Sequence, residues 1–152
     1  MPDHIVHMIG NAHLDPVWLW HWERGVDEAL ATCRAACDLL DETPELIFTR
    51  GEAWVYEQVR QLDPALFARI RGHIAGGRWE VVGGWWVQPD VNLPTEAALR
   101  HSMRLGREWF RQHLDLDDVP VAFNVDSFGH GAYLPRLLRG NGQPWYVMMR
   151  PM

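Results

Sequence analysis

Short apolar runs alternate with longer stretches of helical periodicity along the chain, and this alternation predicts strands separated by helices. Apolar runs predict five strands, at about residues 4–12, 46–48, 79–82, 121–125 and 145–149. Helical spacing predicts helices at about residues 24–40, 94–114 and 133–139, with two shorter helices between the second and third strands. Strands that alternate with helices are typical of a parallel sheet with right-handed crossovers, which is an α/β fold.

Local signals predict where several of these helices begin and end. Thr49–Glu52 has the spacing of a capping box and predicts a helix start. Asp63–Pro64 provides an N-cap residue followed by proline at the first helical position, and Gly76–Gly77 is a typical helix end. A closed eight-stranded barrel takes about 250 residues, whereas this chain has 152. We therefore expect one domain over residues 1–152 that is an open or N-terminal part of a barrel, with an unpaired edge after strand five that favours self-association into a homo-oligomer.

Composition excludes several classes of partner. The net charge of −6 provides no basic surface for phosphates, so nucleic acid is not an expected partner. No apolar segment has the length of a membrane span and no signal peptide is evident, so we expect a cytoplasmic protein without a membrane partner. Cys33 and Cys37 lie one helical turn apart and are expected to be buried small hydrophobes rather than redox groups. The 9 Trp residues offer flat apolar surfaces that suit sugar rings as well as cores.

Polar residues at the ends of the predicted strands are the candidate chemistry. His13 and Asp15 follow strand one with the two-residue spacing that places both side chains on one side of an extended backbone. Asp126 follows strand four, and the carboxyl ends of parallel strands lie at the same edge of a sheet. Three ionisable groups together at the ends of apolar strands are costly to desolvate without a cation. The pattern predicts one shared divalent metal ion, with an imidazole and carboxylates as the ligands that zinc accepts.

Other polar and aromatic residues in these segments have structural explanations. We expect Glu52 to cap a helix rather than take part in catalysis, and Asn11 to act as a hydrogen-bonding support. His130 is expected to satisfy backbone groups in a tight turn. Trp20 and Trp22 are expected to pack in the core. A solvated helix face is expected to contain the four arginines Arg100, Arg104, Arg107 and Arg111.

Three motifs resemble those of a known enzyme family, in order and with plausible spacing over nearly the whole chain. Asn11–Trp18, with the letters NAHLDPVW, resembles the opening zinc motif of glycoside hydrolase family 38, the retaining α-mannosidases. Gly83–Asp90, GGWWVQPD, resembles the third-strand signature of that family, and Asn92–Pro94 is similar to its cytosolic and bacterial branches. Val125–His130, VDSFGH, resembles its nucleophile segment.

The resemblance implies a role for each matching residue. His13, Asp15 and Asp126 would bind one Zn²⁺, and Asp126 would also be the catalytic nucleophile. Trp18 would stack on the sugar, and Arg150 would orient the nucleophile and the substrate. The substrate-binding residues predicted from the matching segments are Trp18, Trp86, Asp90 and Arg150. The fold implied is the N-terminal portion of a distorted seven-stranded (β/α) barrel.

The activity implied is hydrolysis of α-mannosidic bonds in oligosaccharides by a retaining, zinc-assisted mechanism. In this family a further histidine ligand and the acid/base aspartate come from later strands, beyond position 152, so the resemblance implies an incomplete zinc site and little activity for this chain alone. Two other functions remain open. One is a metal-dependent carbohydrate deacetylase on a related barrel, in which the metal activates water. The other is a non-catalytic carbohydrate-binding or interaction protein.

Overall fold

The computed structural model describes residues 4–150 and contains parallel strands that alternate with helices. The strands are β1 (Gly10–Asn11), β2 (Phe48–Arg50), β3 (Trp79–Val81), β4 (Val121–Asn124) and β5 (Trp145–Met148). The helices are α1 (Trp22–Glu42), α2 (Ala53–Leu62), α3 (Pro64–Ala75), α4 (Glu96–Leu114) and α5 (Leu134–Gly140). This arrangement confirms the predicted α/β class with parallel strands. The seven-stranded barrel includes more strands than these five and stays a prediction.

The five strands form two parallel sheets, β1-β2-β3 and β4-β5. Among the described residues, a single backbone hydrogen bond, from the amide of Gly83 to the carbonyl of Val121 at 2.8 Å, connects the end of the first sheet to the start of β4. Gly83 has φ of +83°, a conformation that favours glycine. Within residues 4–150, β5 pairs only with β4, and Trp145 is 68% exposed. Self-association through this edge stays a prediction.

The first strand is much shorter than the sequence pattern predicts. Only Gly10–Asn11 pairs with β2, although the apolar run suggested a strand over residues 4–12. The register places Gly10 opposite Phe48, where β2 begins, so the preceding residues have no neighbouring strand in the described sheet. Ile5, Val6 and Met8 are accordingly exposed. The prediction was wrong because an apolar run becomes a strand only where a partner strand extends beside it.

The capping box predicted at Thr49–Glu52 does not form. Thr49 belongs to β2, and its hydroxyl donates to the carbonyl of Gly10. Glu52 precedes α2 with φ of +68°, and its side chain makes no capping bond. The first amides of α2, of Ala53 and Trp54, instead donate to the carbonyls of residues 85 and 86 at 3.0 and 2.9 Å. Backbone from the segment after β3 thus replaces the side-chain cap, and the cap prediction for Glu52 was wrong.

Two other helix starts and the cysteines follow the sequence expectations. The carboxylate of Asp63 accepts from the amide of Leu66, and the hydroxyl of Thr95 accepts from the amide of Ala98. Cys33 and Cys37 are fully buried in the core of the first sheet and unbridged. Burial raises the pKa of the Cys33 thiol to about 12. Both thiols are therefore inert packing groups, as predicted.

Two surface expectations need correction. Trp22 is 57% exposed at the start of α1, so the packing prediction was wrong for it, whereas Trp20 is half-buried and packs edge-on against Trp18. Arg107 is half-buried on α4, where its guanidinium donates to the carbonyl of Asn141. The other three arginines of that helix face are exposed, as expected.

None of the helices within residues 4–150 combines the length and the apolar composition of a membrane span.

Glu57 joins α2 to α4 through a hydrogen-bonded carboxylate. It accepts from Arg60 Nε and from the indole nitrogen of Trp109, both at 2.8 Å, and also from Gln61. The Arg60 hydrogen bond is the main reason that the pKa of Glu57 falls from 4.5 to about 2. A carboxyl whose folded-state pKa is lowered stabilises the protein above its unfolded pKa. That stabilisation is lost as the pH falls through the folded pKa.

We expect Glu57→Gln to lower the free energy of unfolding at pH 7. As the pH falls from about 4.5 to 2, the free energy of unfolding should decrease less for this variant than for the unmodified chain. Urea unfolding at pH 7 and pH 3 measures both effects. Glu108→Gln removes the same charge from an exposed position on α4 and serves as the control. Equal pH dependence of Glu57→Gln and the unmodified chain would contradict the assignment.

Candidate metal centre in a cleft at the strand ends

A cleft of about 420 Å³ lies where the carboxyl ends of the strands meet. Residues after β1, β2, β4 and β5 line it, together with the segment that follows β3. This is the edge at which parallel α/β sheets bind their ligands. Because the lining side chains come from segments after all five strands, the cleft brings together residues that are far apart in the sequence.

Three predicted ligands converge in this cleft. His13 Nε2 lies 3.3 Å from Asp15 Oδ1 and 3.8 Å from Asp126 Oδ2. One ligand atom of each residue lies within 4.8 Å of the other two. The side chains are 27%, 42% and 28% exposed, so the group is accessible from solvent. One imidazole nitrogen and two carboxylate oxygens at this spacing form a set that can hold a divalent metal ion.

The two oxygens of Asp126 have different neighbours. Oδ2 faces His13, whereas Oδ1 lies 2.7 Å from Arg150 Nη2. The Arg150 guanidinium also lies over the ring of Phe128, 4.5 Å from its centroid. Arg150 thus contacts the Asp126 carboxylate and the Phe128 ring at the same time. The resemblance implies that Arg150 lies beside the nucleophile, and in the structure it contacts Asp126.

His130 contacts both the Arg150 backbone and the Tyr146 side chain. Its Nε2 donates to the Arg150 carbonyl at 3.1 Å, because a carbonyl oxygen only accepts. Nδ1 then accepts from the hydroxyl of Tyr146 on β5 at 2.7 Å. Burial raises the pKa of Tyr146, so its hydroxyl keeps the proton that it donates. His130 therefore binds a backbone group as predicted, but one at the end of β5 rather than in its own turn.

The predicted substrate-binding residues differ in their positions. Trp18 lines the cleft with an exposed indole, and Asp90 lines it with a carboxylate that accepts from the amide of Asn92. Trp86 does not line the cleft; it packs against the hydrophobic core of the first sheet. Its position after β3 was right, but the backbone there directs the ring towards the core. Asn11, predicted as a support, donates to the carbonyl of Thr49 at 2.9 Å.

Sequence reasoning missed the roles of two residues in the cleft wall. Glu52 is only 7% exposed, forms a 3.1 Å ion pair with buried Arg50, and accepts from the amide of Gln88. The side chain of Gln88 contacts His13 across 75 residues of sequence. Glu52 belongs to the predicted capping box, and Gln88 belongs to the motif Gly83–Asp90. The signal available in the sequence was that both residues are polar and follow a strand. Their contacts with Arg50, the Gln88 amide and His13 have no local sequence pattern.

Comparisons with known proteins identify relatives in sequence and in fold. Human alpha-mannosidase 2C1 is 32% identical over 140 residues, which make up 91% of this chain and 13% of that protein. An alpha-mannosidase from Enterococcus faecalis V583 matches with a TM-score of 0.81 and 17% identity, over 92% of this chain and 16% of that chain. A 4-alpha-glucanotransferase from Thermococcus litoralis matches with a TM-score of 0.73 and 18% identity, over 91% of this chain and 21% of that chain. The two structural matches show the fold alone.

The family comparison covers almost the whole chain. Residues 3–151 match the model described as "Glycosyl hydrolases family 38 N-terminal domain". The chain spans about an eighth of the length of its human relative, so the match assigns a family to this segment. With the family model matched over this range and the human relative above 30% identity, the chain belongs to the glycosyl hydrolase family 38 N-terminal domain family.

Proposed function

We propose that this chain supplies the metal centre and the nucleophile of a retaining α-mannosidase that acts on mannose-containing oligosaccharides. The convergence of His13, Asp15 and Asp126 at the strand ends carries this proposal, because it occurs in a chain of this family. The names of the relatives support the substrate class.

The donor set fits Zn²⁺. One imidazole and two carboxylates are hard to borderline ligands that zinc accepts, and the two carboxylates balance the charge of a divalent ion. Bound there, Zn²⁺ would supply electrostatic stabilisation and a template for the sugar. His13, Asp15 and Asp126 are the residues that would hold it.

Asp126 is the proposed nucleophile. Retaining glycosidases use a carboxylate that attacks the anomeric carbon and forms a glycosyl ester, which water then hydrolyses. The 2.7 Å contact with Arg150 holds the Asp126 carboxylate in one orientation, which lowers the entropic cost of the attack. Trp18 presents a flat apolar surface for the sugar ring, and Asp90 offers a carboxylate for its hydroxyl groups.

A fluorinated mannosyl fluoride tests this proposal directly. Its anomeric fluoride leaves without protonation, so the test does not depend on an acid catalyst. The ring fluorine destabilises the oxocarbenium-like transition state and so slows hydrolysis of the glycosyl ester. We expect the chain to bind one equivalent of Zn²⁺ and then to gain the mass of one fluoromannosyl group. Peptide mapping should locate that group on Asp126.

The corresponding glucosyl fluoride is the matched control, and it should label the chain more slowly. Metal binding without any adduct, combined with sugar binding, would favour the non-catalytic alternative. Release of acetate from an acetylated sugar would favour the deacetylase alternative. Absence of both metal binding and adduct would refute the proposal.

A further inference from the structure

The proposed metal ligands follow strands of two different sheets. His13 and Asp15 follow β1 of the first sheet, and Asp126 follows β4 of the second. Within residues 4–150 the strands of the two sheets do not pair, and the backbone bond from Gly83 to Val121 lies at the opposite end of β4 from Asp126. The separation of His13 from Asp126 therefore depends on contacts beyond the strands.

The side chain of Gln88 bridges these two strand ends. Its Nε2 lies 3.4 Å from His13 Nδ1, and its Oε1 accepts from the amide of Val125 at 3.3 Å. Val125 is the residue before Asp126. The Gln88 carboxamide therefore contacts the proposed ligand His13 and also the residue next to the proposed ligand Asp126.

The backbone of Gln88 is itself anchored to the buried interior. Its amide donates to Glu52 Oε1 at 3.2 Å, and Glu52 pairs with Arg50, which is 2% exposed. Arg50 also donates to the carbonyl of Ala12, the residue before His13. A continuous set of polar contacts thus runs from the buried ion pair to both sides of the candidate metal centre.

We propose that Gln88 is a positioning residue that holds the His13 ring in place for a metal ion. This inference rests on the proposed function, because it needs His13 as a ligand through Nε2. A histidine that binds metal through Nε2 has its proton on Nδ1 and donates it to an acceptor, which fixes the ring orientation. Gln88 is the side chain that faces Nδ1, and a half-turn of its terminal carboxamide presents the oxygen in place of the nitrogen. That half-turn gives up the bond from the Val125 amide, because the carboxamide nitrogen only donates.

This arrangement gives opposite expectations for two substitutions. Gln88→Leu keeps the size of the side chain but removes both polar atoms, and we expect it to weaken Zn²⁺ binding by about 10- to 100-fold. Gln88→Glu places an acceptor oxygen opposite Nδ1 without any rotation and keeps an acceptor for the Val125 amide. We expect it to bind Zn²⁺ at least as tightly as the unmodified chain.

The experiment is a competition titration of Zn²⁺ between the 152-residue chain and a chromophoric chelator, for the unmodified chain and both variants. Co²⁺ absorption spectra of the same proteins report the coordination geometry independently of affinity. Gln112→Glu on the exposed face of α4 adds the same charge away from the cleft. It should leave the affinity unchanged, which separates a positioned acceptor from a general charge effect.

The outcomes separate this inference from the proposed function. If the unmodified chain binds Zn²⁺ and Gln88→Leu binds it equally tightly, the positioning role is wrong while the metal centre stands. If Gln88→Leu does not fold, weaker binding by Gln88→Glu than by the unmodified chain would overturn the role. If the unmodified chain binds no Zn²⁺, both the positioning role and the metal centre are wrong.

Discussion

Asp126→Asn is expected to abolish fluoromannosyl labelling and to weaken Zn²⁺ binding by more than about 100-fold. Loss of an outer hydrogen-bond partner of a metal ligand costs about 10- to 100-fold in affinity, and loss of a charged ligand should cost more. The amide is nearly the same size as the carboxylate but neutral, so it is both a poorer ligand and a poor nucleophile. Chelator competition and intact-mass analysis of the labelled chain measure the two effects.

The same substitution should hardly change the stability of the fold. Asp126 and Arg150 are 28% and 44% exposed, and an ion pair so accessible to solvent contributes up to about 1 kcal/mol. The matched control is Asp118→Asn, which removes the same charge from an exposed residue that contacts Arg107 outside the cleft. Labelling of Asp126→Asn at the rate of this control would rule out Asp126 as the nucleophile.

Those features that depend on short stretches of sequence were predicted well. Asp63 caps α3 because its partner is three residues away, and the burial of Cys33 and Cys37 follows from the helical period of α1. The α/β class with parallel strands follows from the same kind of local pattern. These features need no knowledge of what packs against them.

Features that depend on distant partners were not predictable in this way. The length of β1 is set by where β2 begins, and the start of α2 is set by carbonyl groups of residues 85 and 86, more than 30 positions away. Glu52 has capping-box spacing, yet its backbone adopts φ of +68° and its carboxylate pairs with Arg50. The candidate metal ligands were nevertheless recognisable, because parallel strands place their carboxyl ends at one edge and each candidate lies two to four residues after a strand.

The contacts that organise the candidate centre were the least predictable part. Gln88 meets His13 across 75 residues and Val125 across 37. A glutamine in a polar segment carries no periodic or capping signal, so its partners are known only once the two sheets are placed. Trp86 also shows that the position of a side chain depends on the whole fold. Its motif predicted a contact with the substrate, but its ring packs against the core.

Arg50 is expected to contribute most to the stability of the strand ends. It is 2% exposed and pairs with Glu52, which is 7% exposed. Arg50→Met leaves the Glu52 carboxylate buried without its counter-ion and should lower the free energy of unfolding by about 3–5 kcal/mol. Urea unfolding measures this loss. It should also weaken Zn²⁺ binding, because the bond from Arg50 to the Ala12 carbonyl positions the segment that contains His13.

A double variant distinguishes loss of the pair from loss of one charge. Arg50 Nε makes no hydrogen bond within residues 4–150, and Arg50 Nη2 lies 3.1 Å from Glu52 Oε2 without hydrogen-bond geometry, so the desolvation of the guanidinium is incompletely compensated. Replacing both members by apolar residues, as in Arg50→Met with Glu52→Leu, should therefore recover much of the stability that Arg50→Met loses. Arg136→Met removes an exposed partner of Glu96 and should cost less than about 1 kcal/mol. If Arg50→Met were as stable as Arg136→Met, the Arg50–Glu52 pair would have to be solvated rather than buried. The polar contacts from Arg50 through Glu52 and Gln88 to His13 would then not begin at a buried ion pair.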